Sequence, residues 1–315
     1  MKKILFLLIS INLLLALNVI KPERKIKYNY YISKIAFNKN YLIAGLENGT
    51  VEIKKFNNKK TTDIIKLPKI HDFMGDLIPM PIYSLDILNK KLLILAEGEN
   101  ASRILYIYDL SSKKLNKIFQ TSKTLMRAKF ITPQKIIFAY LSDEIALFDL
   151  NTKKWLYHTQ IGSYVFSTFE LNPSKTLIAL GDESGNIKIA DVKNGKKIKE
   201  IIGFNKDKTT AISFTKNLVL NASVDKRIGI YKLNGNSILT LISKFIPYAA
   251  AISPDEKKFA YAYDDKNNIL IKNTNNKALF LLKGHTMTLS EMKFLDNKTL
   301  ISFSPAEIII WKIKE

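Results

Sequence analysis

Cysteine is absent from this chain of 315 residues. Its absence excludes disulfides, thiol catalysis, thiolate metal sites and lipidation at an N-terminal cysteine. Histidine is confined to His71, His158 and His285, and arginine to Arg24, Arg103, Arg127 and Arg227. The formal net charge of +21 is therefore almost all lysine. Lysine is a point charge and lacks the planar, bidentate fork that reads guanine or clamps phosphate, and here it is scattered in turn-like pairs such as "NKK" and "TKK". A solvated basic surface is the reading this favours, and no nucleic-acid partner is expected. Long apolar runs are also lacking, with a single exception at the start of the chain.

That exception is "MKKILFLLISINLLLALNVI". Lys2 and Lys3 precede an apolar run from Ile4 to Ile20, the layout of a secretory signal. Ala16 is followed by Leu17, Asn18 and Val19, with no clean small-x-small triplet, so removal and retention as an N-terminal membrane anchor both stay open. No twin arginine is present, which fits a general secretory route. Residues 1–20 are thus expected to be a signal peptide or uncleaved anchor, and the remainder to lie outside the cytoplasm, in the periplasm.

What fills the chain after residue 25 is a repeat. Seven units of short apolar runs recur, each closing on an aromatic and often an aspartate. Their first strands align Phe37, Ile87, Phe130, Leu171, Phe214, Ile252 and Phe294 in one column. The spacing of 38 to 50 residues is that of four-stranded propeller blades. Runs such as "YLIAG" and "KIIFAYL" are apolar on both faces, as sheets sandwiched between sheets must be. The expected fold is all-β, a seven-bladed β-propeller over residues 25–315. The last unit ends on its third strand, and "KIKYNYY", Lys25 to Tyr31, alternates as a strand should; it is expected to complete that blade and close the ring.

The units resemble the WD40 family. Ser223, Asp225, Ile228, Ile230 and Tyr231 in "SVDKRIGIYKL" match its repeat ending; Gly284-His285 supplies a glycine-histidine pair, and Trp311 a tryptophan in its proper place. The resemblance implies that Ser223, Asp225, Tyr231, Gly284, His285 and Trp311 serve a structural hydrogen-bond network. No unit carries the full histidine, serine, tryptophan and aspartate set, and the seventh lacks the turn aspartate.

The stretch that stands apart in chemistry is "KLPKIHDFMGDLIPMPIYSLDIL", residues 66 to 88. His71, Asp72 and Asp76 could open a metal site, with Met74 and Met80 as soft ligands, but no second cluster supplies the three or four donors needed. His158 and His285 have no acidic or histidine partner at ligand spacing. Two carboxylates without a nucleophile or an orienting group specify no reaction. A plain structural connection remains open. The favoured reading is recognition: Pro79 and Pro81 stiffen the longest inter-blade connection, and His71, Asp72, Phe73, Met74, Asp76, Leu77, Ile78 and Met80 offer apolar anchors with a few charges to a protein partner.

Among exported, cysteine-free, degenerate WD40-like proteins the chain is similar to the NapL-type accessory proteins of periplasmic nitrate reductase systems. That likeness rests on the signal segment, the propeller filling the rest, and the "HDFMGD" to "MPIYS" loop. It implies a monomeric, non-enzymatic factor that contacts nitrate reductase subunits and carries no cofactor; CxxCH is absent. A cell-envelope scaffold unrelated to nitrate respiration is the alternative. A propeller hydrolase is the less favoured third reading, because the inner strands are expected to offer Ser33, Ser84, Ser167 and Ser213 with little charge.

Overall fold

The computed structural model describes residues 17–58 and 60–314. Most of the expected signal or anchor segment, residues 1–16, lies outside them. Seven small antiparallel sheets surround a central channel. Each blade runs from an inner strand outward, as in the first: Ile32–Phe37, Tyr41–Leu46, Thr50–Lys55 and Thr61–Lys66. The aligned column Phe37 to Phe294 falls on the seven inner strands.

Why the second strand of every blade is buried on both faces, and mostly apolar, follows from the period of two. Successive side chains point to opposite faces, and each face meets a different neighbour. In the first blade Leu42 and Ala44 pack toward the seventh, while Ile43 packs toward the second. In the second blade Leu92, Ile94 and Ala96 face the first, and Leu93 and Leu95 face the third. Seven separate core clusters result, one at each blade interface. Outer strands have only one covered face. Lys114–Thr121 accordingly mixes exposed and half-buried residues and has none that is fully buried.

The ring closes on itself. Arg24–Lys27 pairs antiparallel with Glu307–Lys312, from Arg24 opposite Ile310 to Lys27 opposite Glu307, as the outer strand of the seventh blade. This ladder is shorter than the alternation over residues 25–31 suggested. Residues 28–31 must cross from the rim of that blade to the inner strand of the first, a step of about 14 Å if three strand spacings are spanned, and four residues are needed to reach that far.

A second departure concerns Asn18–Ile20. Assigned by sequence to the signal or anchor segment, these residues form a fifth strand on the sixth blade, parallel to Ala278–Leu282. No helix among the described residues is long and apolar enough to cross a membrane.

Candidate functional site

The connection between the first two blades folds into a hairpin of its own. Lys69–His71 pairs with Leu77–Pro79, and the five residues between them make the tip. Asp72 builds that tip: one of its carboxylate oxygens accepts the Met74 and Asp76 backbone N–H groups, each at 2.9 Å. Gly75 sits at φ +89°, a left-handed conformation that other residues adopt only at a cost. The Asp72 carboxylate is thus occupied with turn formation.

The apolar residues of the hairpin divide into two groups. Phe73 is 92% and Met74 76% exposed at the tip, and Leu77 is 55% exposed beside them. Ile78 is half-buried, while Ile70 and Met80 belong to the core between the first two blades. Met80 is only 1% exposed, so it roots the hairpin and presents no surface of its own, contrary to its assignment as a contact residue. Its position follows from the strand it enters, one residue before Pro81. Asp76 is exposed, and His71 reaches Glu99 through Nδ1 at 3.2 Å, both side chains well in solvent.

All three histidines in fact find a carboxylate, supplied from far along the chain where spacing could not reveal it. His158 meets Glu144 at 3.2 Å and stacks edge-on to Tyr140. His285 meets Glu307 at 3.5 Å in full burial. Among the described residues no three histidine, aspartate or glutamate side chains converge as a metal site would require.

The environment of His285 is a buried polar network, in which Nδ1 faces Glu307 without a hydrogen bond of normal geometry. Trp311 Nε1 donates to Ser302 Oγ at 2.8 Å, and Ser302 Oγ lies 2.7 Å from His285 Nε2. The indole can only donate, which leaves the serine proton free for Nε2; in that arrangement the imidazole proton sits on Nδ1, on the side of Glu307. Glu307 also accepts the Thr286 backbone N–H at 2.7 Å. Glutamate thereby stands where the missing turn aspartate was sought, and the seventh blade carries a complete set. Gly284 is required by contact: a Cβ there would lie 2.6 Å from Pro22. Burial pulls the His285 pKa down to about 4 against the attraction of Glu307. The fifth blade repeats the scheme with Asn205 donating to Ser223 at 2.7 Å, Ser223 bonded to Asp225, and the Tyr231 hydroxyl accepting the Phe204 N–H at 2.7 Å. Between the third and fourth blades the fully buried Lys188 bonds both Asp143 and Asp182. These networks are largely buried and serve the fold.

The central channel overturns one expectation. Its wall is not weakly charged: Lys34, Asp86, Arg127, Lys129, Glu170, Glu291 and Lys293 all lie on inner strands. Glu170 accepts Lys129 at 2.6 and 2.7 Å and Lys293 at 3.2 Å. Arg127 donates to Thr168 at 2.6 Å and to Glu291 at 3.2 Å across the ring. Burial would raise the Glu170 pKa, but the three cations hold it well below the usual carboxylate range. Each ammonium in turn feels the others: burial, Lys293 and Arg127 push Lys129 down to about 8 despite Glu170. Asp86 accepts the Phe130 backbone N–H at 2.8 Å, tying the second blade to the third.

A signal for this cluster was present in the sequence. Counting back from the aligned column, the residue one before reads Ala36, Asp86, Lys129, Glu170, Ser213, Ala251 and Lys293. The residue three before reads Lys34, Ser84, Arg127, Thr168, Ala211, Ala249 and Glu291. With a strand period of two, these are two layers of one face. Compared with models of known protein families and with curated proteins, the sequence matches none.

Proposed function

We propose that this chain is a non-enzymatic, exported protein-interaction propeller that reads a protein partner through the hairpin 69–79. The observation that carries the reading is the pairing of a rigid root with a bare tip: Met80 and Ile70 are held in the core while Phe73 and Met74 stand in solvent. Burying such side chains fully contributes about 1.5–3 kcal/mol each, and a preformed hairpin loses little further entropy on docking. Methionine also adapts its packing to whatever surface it meets. Catalysis draws no comparable support, since Glu170 and Glu291 are committed to cations and Asp86 to a backbone N–H.

The partner we propose is the periplasmic nitrate reductase, with this chain assisting its maturation or activity by contact. Support for that finer step is the resemblance of the leader, the propeller and the hairpin sequence to the accessory proteins of that system. The test is affinity capture of the tagged protein from the cell envelope under mild crosslinking, beside the variant Phe73→Ser, Met74→Ser, Leu77→Ser. Enrichment of nitrate reductase subunits that disappears in the variant is the expected result. Reductase subunits retained by the variant would remove the hairpin from the interface. Enrichment of other envelope proteins alone would discard the reductase and leave a general scaffold.

A further inference from the structure

The channel has two unlike walls. Blades one to four and seven bring charge to it, while blades five and six contribute Ala211, Ser213, Ala249 and Ala251 at the same two layers. Small residues on one side leave space, and a cavity of about 360 Å³ lies between them and the charged wall. A second, of about 340 Å³, continues toward the end of the channel near Pro81 and Tyr83, on the face that bears the hairpin. Lys34, Arg127, Ser167 and Glu291 line both. Volumes of this size fall at the lower end of the range of small-molecule sites, about 300–1,000 Å³.

The charges in the channel do not balance. Four basic side chains, Lys34, Arg127, Lys129 and Lys293, face three acidic ones. Glu170 is held by Lys129 and Lys293, Glu291 by Arg127, and Asp86 by a backbone N–H. Lys34 is close enough to feel Glu291 and Arg127, yet among the described residues its Nζ has no hydrogen-bond acceptor. Ser167 Oγ is buried and also unpartnered. Arg127 has donors to spare, since a guanidinium carries five N–H groups and these contacts use two. Lys34 is exposed to the channel, so its ammonium is open to a small anion, which would supply the direct partner that the nearby Glu291 does not.

We propose that the central channel binds a small oxyanion, a carboxylate or phosphate, held by Lys34 Nζ, the remaining N–H groups of Arg127 and Ser167 Oγ. Lys34 supplies the unmatched charge, Arg127 supplies directional donors, and Ser167 completes its own hydrogen bonding. The acidic side chains keep the site from over-attracting anions, and the small wall of blades five and six admits the ligand's carbon body. This site is independent of the hairpin reading.

Calorimetric titration of inorganic phosphate, and separately of succinate, into the full chain at physiological ionic strength tests it. Saturable binding of one ion per chain is expected. Lys34→Met keeps the apolar stem and should weaken binding roughly tenfold or more. Ser167→Ala should weaken it about two- to tenfold. Lys117→Gln, on an exposed outer strand, should leave it unchanged. Phosphate alone, succinate alone or both satisfying this pattern identifies which oxyanion source the site takes. Binding of several ions per chain, binding indifferent to Lys34→Met, no binding at all, or equal losses in the Lys34 and Lys117 variants would each overturn the proposal. Should Lys34→Met fail to fold, amine acetylation of the wild-type chain decides. Ligand must then protect Lys34 and leave Lys117 labelled as before, and labelling of Lys34 unchanged by either ion would refute the site.

Discussion

At the scale of single residues, the seventh and fifth blades solve one problem in two ways. His285 and Asn205 each bind the serine of the second strand, but only the histidine can titrate. Its folded pKa of about 4 lies below the ordinary 6.5. A base so depressed takes up its proton preferentially in the unfolded chain. Its contribution to stability is therefore complete above about pH 6.5 and is lost as the pH falls toward 4, by about 3 kcal/mol in all. His285→Asn, copying the fifth blade, should cost about 1–3 kcal/mol at pH 7.5 through imperfect hydrogen bonds. It should also flatten the dependence of melting temperature on pH between 4 and 6.5. Parallel melting curves of wild type and variant across that range check this; an unchanged slope would mean that His285 is already protonated in the fold.

At the scale of elements, the hairpin 69–79 couples an exposed tip to a core root, and the two should respond differently to substitution. Met80→Ala empties space in the core cluster between the first two blades and should cost about 2–5 kcal/mol. The serine triple variant at Phe73, Met74 and Leu77 removes side chains already in solvent and should stay within about 1 kcal/mol of wild type. Denaturant midpoints of the two variants decide whether root and tip are separable. Much of this was legible beforehand. The column Phe37 to Phe294 located every inner strand, because a side chain pinned in an interface must recur at the blade period. Phe73 and Met74 stand exposed on the longest inter-blade connection, where the wider spacing between the first two blades had placed them. What stayed hidden was contact across the ring: Arg127 with Glu291 and Lys293 with Glu170 join residues more than a hundred positions apart. Spacing rules built for local motifs do not register such pairs. Glu307 was missed for a related reason, since an aspartate was sought and the longer glutamate reaches the same network from the start of its strand.

At the scale of the whole molecule, stability is divided among seven blade interfaces, each with its own core, and every sheet depends on two neighbours. Such a ring has one weak point, where the chain's beginning and end are joined only by hydrogen bonds and packing. Here it is the ladder between Arg24–Lys27 and Glu307–Lys312. Ile26 lies directly opposite Ile308, and both belong to the interface of the seventh and first blades. Opposed residues of an antiparallel pair have Cα atoms about 4.5–5.5 Å apart, within the span of about 4.4–6.8 Å that a disulfide bridges. The chain has no cysteine of its own, so Ile26→Cys with Ile308→Cys can form no other intramolecular bridge. The double variant should oxidise spontaneously to a monomeric species of altered mobility on non-reducing gels. Truncating two isoleucines weakens the core in both redox states, so the informative comparison is oxidised against reduced protein. The crosslink closes almost the entire chain into a loop and should stabilise the oxidised form by about 2–4 kcal/mol. If the ring opened readily at this seam, the gain would be large and the reduced variant would melt in more than one step. A single cooperative transition in both states would mean that the strand contributed by residues 24–27 is bound as tightly as any strand within a blade.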